Sequence, residues 1–243
     1  MHVVGVLPGS TAAAFRVRLG HGEDPAVVAY DRGFVALQPL TARRDPDGEL
    51  VVSWSVRPVA DEPHPYRRRR GQDAALVLDP ATPPVRRQRL AAYAVVRSSR
   101  GLLATEYSGR TAVAGRWGMP GGGIDPHEEP EAAVLREVAE ETSQQVTLSE
   151  LRAVQTSHWV GRSPRGVVED FHAVRLVYLG SCADPTDPVV ADTDGTTASA
   201  RWVPLSRWRT LSWTANWRDL LAELLAEDEP SRVSRRRSAG PGG

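Results

Sequence analysis

Residues Gly122–Glu141 read GGIDPHEEPEAAVLREVAEE, a glycine turn that runs directly into a helix carrying an acidic cluster. A helix turns about 100° per residue, so Glu137, Glu140 and Glu141 share one side, within roughly a quarter turn. Val134, Leu135 and Val138 supply apolar side chains that can pack onto a sheet. Pro130 suits the first helical position, where a missing N–H costs nothing. Like charges at these spacings destabilise a helix unless something neutralises them. Oxygen ligands in a tight cluster suit a hard divalent cation such as Mg²⁺. The plainer reading is a solvated acidic face with Arg136 paired to Glu140. The glycine turn Gly121-Gly122-Gly123 and the continuous apolar face favour the metal site, because together they aim the acids at one place.

As spacing, the stretch is Gly122, five residues, Glu128, seven residues, then Arg136-Glu137-Val138-x-Glu140-Glu141. That spacing resembles the Nudix box, and Trp117-Gly118-Met119-Pro120-Gly121-Gly122 resembles the family's lead-in. The resemblance implies metal ligation by Glu137, Glu140 and Glu141, joined by the carbonyl of Gly121. It implies that Arg136 orients Glu137, and that Gly122 and Glu128 hold the loop–helix geometry. The implied reaction is attack of water on one phosphorus of a nucleoside diphosphate linked to another group, with Mg²⁺ as cofactor and Mn²⁺ as a substitute. Its general base comes from a loop outside the box; Glu169, Asp170, Asp192 and Asp194 are candidates, with Asp194 preferred. A non-catalytic nucleotide-binding sensor of the same family is the alternative, although such sensors often lose box carboxylates. An isoprenoid isomerase would need a well-placed cysteine, and Cys182 gives no support.

Three positions depart from the family pattern. Ser143 stands where a glycine is expected and should end the helix in a left-handed cap, at a cost on the order of 1 kcal/mol. Gln144 follows where an apolar residue is expected. His127 precedes Glu128 where glycine is common; it reads as a permissive loop position, near enough to the site to touch phosphate.

The resemblance covers roughly Leu90 to Glu227, within a domain placed at 85–227. Strands are expected at Arg89–Arg97, at Leu102–Tyr107, at 146–148, through Leu151–Val160, at Phe171–Leu179 and at Ala198–Val203, and a helix near Trp213–Glu227. The fold expected is α/β, the family's α/β/α sandwich on a mixed sheet. Before it, residues 1–84 read as a small all-β region of unknown role. Phe15–Leu19 alternates, Asp31-Arg32-Gly33 separates apolar runs, Pro46-Asp47-Gly48 opens a strand, and 79–84 is a proline-rich linker. Residues 228–243 lack apolar periodicity and are expected to be disordered.

The chain has 243 residues, 41% of them hydrophobic, and formal net charge zero. No field draws it to nucleic acid or anionic lipid, and no segment approaches the ~18 apolar residues of a membrane span. A single cysteine and an N-terminus without a basic start point to the cytoplasm. All 30 basic residues are arginine, so a basic phosphate contact would be an arginine one. Arg67–Arg70 reads as a solvated charge run. Trp202, Trp208, Trp213 and Trp217 read as anchors for the last helix more than as a base-stacking platform. The partner expected is a small nucleotide-type molecule, without nucleic acid or membrane, and with a homodimer as the assembly considered.

Overall fold

The computed structural model describes residues 1–65, 70–163, 166–191 and 195–227. Arg67–Arg69, Asp192, Asp194 and the 228–243 tail therefore lie outside the described residues.

The N-terminal region forms strands β1 (His2–Val6) and β2 (Ala13–Arg18), helix α1 (Pro25–Tyr30), and strands β3 (Phe34–Arg44) and β4 (Leu50–Pro58). They make one sheet in the order β2-β1-β4-β3, with β1 and β4 parallel. Helix α1 departs from the all-β reading of this region. Asp24 caps it by accepting from the Ala26 N–H at 2.9 Å, and Pro25 opens it. Six residues are too few to show helical periodicity, so the Asp-Pro start was its one sequence signal.

The second sheet comprises β5 (Gly71–Gln72), β6 (Val85–Ser98), β7 (Gly101–Tyr107), β8 (Trp117–Gly118), β9 (Gly121–Gly123), β10 (Thr147–Arg162), β11 (Val168–Ser181) and β12 (Thr197–Val203). Its main order is β12-β7-β6-β11-β10-β5. Strands β6 and β11 run parallel, whereas β10–β11 and β7–β12 are antiparallel. The sheet is thus mixed. The expected strands at 146–148 and 151–160 are one strand, because bulges between Leu148 and Ala153 absorb the break in pairing. Strand β6 starts at Val85, four residues before its apolar run, because Val85–Gln88 pair with Glu169–His172 on β11.

Helix α2 (Pro130–Thr142) and helix α3 (Ala215–Glu227) cover opposite faces of this sheet. Strand β6 shows why: its side chains alternate in direction. Ala92, Ala94 and Val96 join Val134 and Val138 of α2. Ala91, Tyr93 and Val95 join Trp217, Leu220 and Leu224 of α3. The α/β/α sandwich follows from this two-sided burial. Met1, Val3, Val52 and Val56 of the N-terminal sheet belong to the same apolar cluster as Val134 and Val138. Strand β3 also lies against β10.

Candidate active site

Strand β9 pairs with β6 and carries the glycine turn beneath α2. A Cβ on Gly122 would stand 2.5 Å from the Glu137 carboxylate. Only glycine lets that carboxylate rest on the backbone. Gly121 has φ +140°, a region closed to L side chains. Its N–H donates to Glu141 Oε2 at 2.9 Å. The other oxygen of Glu141 accepts from Thr197 Oγ1 at the start of β12. Glu141 is thereby buried on two protein donors.

Arg136 is the hub of the remaining acids. Its Nε and Nη2 donate to the two oxygens of Glu128, each at 2.9 Å. Nη1 reaches Glu137 at 3.0 Å and Glu140 at 3.3 Å, and Nη2 also donates to the Gly123 carbonyl at 3.1 Å. The guanidinium holds the Glu128 carboxyl below the usual carboxylate range. Burial pushes Glu137 the other way, above its ordinary value, although Arg136 opposes it. Glu137 is thus half-buried, with one oxygen held by Arg136.

The structure thus gathers Gly121, Gly122, Glu128, Arg136, Glu137, Glu140 and Glu141 around one turn and one helix face. Asp194 is outside the described residues, yet the chain on both sides of it is tied to the box. Ala191 N–H donates to the Glu140 carbonyl at 2.9 Å, and Thr197 meets Glu141. Of the other base candidates, Asp192 also lies outside the described residues, and Glu169 and Asp170 have partners away from the box. Glu169 pairs with Arg87 at 2.8 Å. Asp170 pairs with His21 and His158, whose hydrogen bonds outweigh the effect of burial and lower its carboxyl. Arg70 stands 3.6 Å from the same carboxylate and is no free charge.

The departures from the family pattern have local explanations. Ser143 is left-handed at φ 55°, and its N–H donates to the Ala139 carbonyl, as a cap requires. Its hydroxyl donates to the Val189 carbonyl at 2.9 Å. Gln144 is buried because its amide bridges helix end and loop: Nε2 donates to Thr186 Oγ1 at 2.9 Å, and Oε1 accepts from the Thr186 N–H at 3.0 Å. His127 is exposed at φ 67°, beside Gly48 of the N-terminal sheet's hairpin. Trp208, Trp213 and Trp217 are buried in the cluster of α3, as anchors, whereas Trp202 is buried in the cluster of α2 and donates to the Thr186 carbonyl at 2.8 Å. Cys182 is buried too, which raises its thiol.

One participant was not visible in the sequence. Arg44 of β3 donates through Nε to the Glu128 carbonyl at 2.8 Å and through Nη2 to the Asp125 carbonyl at 3.1 Å. Its backbone N–H reaches the Glu129 carboxylate at 3.1 Å. The N-terminal region therefore grips the loop that enters the box helix. On the α3 face of the sheet a cavity of about 240 Å³ is lined by Tyr107, Gln155, Arg175, Asn216 and Trp217.

The sequence profile of the NUDIX domain matches residues 87–224, more than half of the chain. The chain belongs to the Nudix family. An RNA pyrophosphohydrolase of Rhodopseudomonas palustris strain BisA53 is 41% identical over 83 residues, 30% of this chain and 47% of that protein. The Nudix chain thus spans about half the length of this curated relative. Among solved structures, the MutT protein of Methanosarcina mazei Go1 is 20% identical, with a TM-score of 0.45, over 59% of this chain and 96% of its own. The NUDIX domain of Shewanella oneidensis NrtR, crystallised with ADP ribose, is 22% identical, with a TM-score of 0.44, over 62% and 93%. No helix among the described residues of this Nudix protein is long and apolar enough to cross a membrane.

Proposed function

We propose that this Nudix protein hydrolyses a diphosphate bond in a nucleotide-type substrate, with residues 85–227 carrying the chemistry and residues 1–84 serving as an accessory. Water attacks one phosphorus, the bridging oxygen leaves with the other, and two phosphorylated products result. The observation that carries this reading is the half-buried Glu137, seated on Gly122 with its carboxyl raised by burial. Together with Glu140, Glu141 and the Gly121 carbonyl it makes an all-oxygen set that fits Mg²⁺ or Mn²⁺. Such an ion, when bound, neutralises phosphate charge and lowers the pKa of a coordinated water.

The chain's own groups do the rest. Arg136 fixes Glu128 and Glu137 in one orientation. Thr197 and Gly121 fix Glu141. Asp194, on the segment tied to α2 at both ends, takes the proton from the attacking water. Retention of Glu137, Glu140 and Glu141 supports catalysis over the ligand-sensing alternative.

The test is a panel of nucleoside triphosphates, ADP-ribose, nucleotide sugars and 5′-triphosphorylated RNA, the last prompted by the relative's name. Each is incubated with Mg²⁺, and phosphate is measured with and without added phosphatase. Turnover of at least one compound is expected. Binding of a panel member without any turnover would favour the sensor instead.

A further inference from the structure

The geometry points to a second metal site, for a divalent transition ion of the zinc type, formed by His21, His158 and Asp170 far from the box in sequence. His158 lies on β10 directly opposite His172 on β11. Asp170 precedes His172 by two residues, so the strand's period of two puts both on the face of His158. His21 arrives from the loop between β2 and α1 of the N-terminal region. Gly22, at φ +78°, lets that loop close on the His158 ring; a Cβ there would stand 2.5 Å from it.

The donors converge on one point. Asp170 Oδ1 is 3.2 Å from His21 Nε2 and 2.5 Å from His158 Nε2, and all three ligand atoms lie within 4.8 Å of one another. Zinc–ligand bonds of about 2.0–2.1 Å place tetrahedral donors roughly 3.3 Å apart. The His21–Asp170 spacing already fits. His158 needs to withdraw from Asp170 by less than about 1 Å. The two histidine donors, within 4.8 Å of each other, need to stand at the same ~3.3 Å, which side-chain rotation would have to supply. The other carboxylate oxygen faces Arg70 Nη1 at 3.6 Å, which orients the carboxylate without occupying Oδ1.

A third histidine lies beside the cluster. His172 is fully buried; its Nδ1 meets the Gln88 amide at 3.0 Å, and its Nε2 makes no hydrogen bond of good geometry among the described residues, although the Glu23 backbone lies beside the ring. Its ring centre lies 5.6 Å from that of His21 and 6.0 Å from that of His158. A pocket of about 150 Å³, lined by Glu23, Asp24, Thr156, His158 and His172, reaches the rings of His158 and His172. Two imidazoles and one carboxylate form a mixed nitrogen–oxygen set that prefers zinc-type ions over the hard Mg²⁺ of the box. A bound ion would join the N-terminal region to β10 and β11, and its binding energy would add to the stability of the folded chain.

The experiment uses the full chain loaded with Zn²⁺, then dialysed against excess Mg²⁺, with zinc measured by elemental analysis and by calorimetric titration with Zn²⁺ alone. The wild-type protein and Glu140→Gln should both retain about one zinc per chain, the number one such site holds. His21→Ala, which alters only a loop residue, and Asp170→Asn should each lose it. Their affinity should fall by more than the roughly tenfold to hundredfold that outer-shell partners are worth. Zinc should raise the melting temperature of the wild type and leave that of His21→Ala unchanged. Three results would each overturn the assignment: a wild type that retains no zinc, a His21→Ala variant that retains it undiminished, or zinc lost through Glu140→Gln, which would place the ion in the box.

Discussion

Arg44 Nε donates to the Glu128 carbonyl at 2.8 Å, joining the N-terminal sheet to the loop that starts the box helix. The same guanidinium holds the Asp125 and Gly48 carbonyls, so three backbone oxygens depend on one side chain. Arg44→Ala should release the loop at a cost of about 2 kcal/mol, since bonds from a charged donor are worth more than neutral ones. Thermal unfolding of the variant would show the loss. Turnover should fall as well, because Glu128 and Arg136 would no longer be held in register. An unchanged melting temperature would mean that the N-terminal region does not brace the box.

Gly122 offers a sharper separation of folding from chemistry. Its backbone is not in the left-handed region, and the group that an added Cβ would meet is the end of a flexible side chain, Glu137. Gly122→Ala should therefore fold with little loss of stability while displacing a proposed metal ligand. Activity should drop at least about tenfold, since misplacement by about 1 Å costs catalysis far more than it costs folding. Wild-type activity in a folded variant would show that the Glu137 position is not critical.

The end of the box helix makes a prediction about compensation. Ser143→Gly should gain up to about 1 kcal/mol from relief of the left-handed backbone. It also loses the hydroxyl bond to the Val189 carbonyl, worth about 1 kcal/mol. The net change should lie near zero. Gln144→Leu should instead destabilise by about 1–3 kcal/mol, because the Thr186 N–H and hydroxyl lose a buried partner. Chemical denaturation of both variants decides the matter; a destabilised glycine variant beside a neutral leucine variant would reverse the account.

The apolar cluster shared by both sheets bears on truncation. A chain shortened to begin at Val85 would lack Met1, Val3, Val52 and Val56, which belong to the cluster containing Val134 and Val138. It should unfold at lower temperature and bind hydrophobic dye. A shortened chain with the full-length melting temperature would show that residues 85–227 need no cover.

What the sequence disclosed was local. The box helix was legible because Pro130, the acidic spacing and Ser143 lie within one segment, and each has a chemical reason to be there. The two-sided burial of β6 was legible in part, as an apolar run, though its start at Val85 depends on pairing with β11. The joining of two strand signals into β10 depends on bulges, which spacing alone does not reveal. Arg44 and Glu128 are 84 residues apart, and His21 and Asp170 are 149 apart. Such contacts are set by how two sheets dock, and no periodicity within either segment encodes them.

The most direct measurement concerns Glu140, whose side chain is 47% exposed and bonded only to the Arg136 hub among the described side chains. Glu140→Gln removes one charge from the proposed Mg²⁺ site and leaves the buried Glu141 contacts intact. An exposed pair of this kind is worth at most about 1 kcal/mol, so the melting temperature should hardly move. Turnover of the substrate found in the panel, measured with saturating Mg²⁺, should fall at least about a hundredfold, because the ion organises the whole reaction. Wild-type turnover in the folded Glu140→Gln protein would contradict the assignment of the box as the catalytic centre.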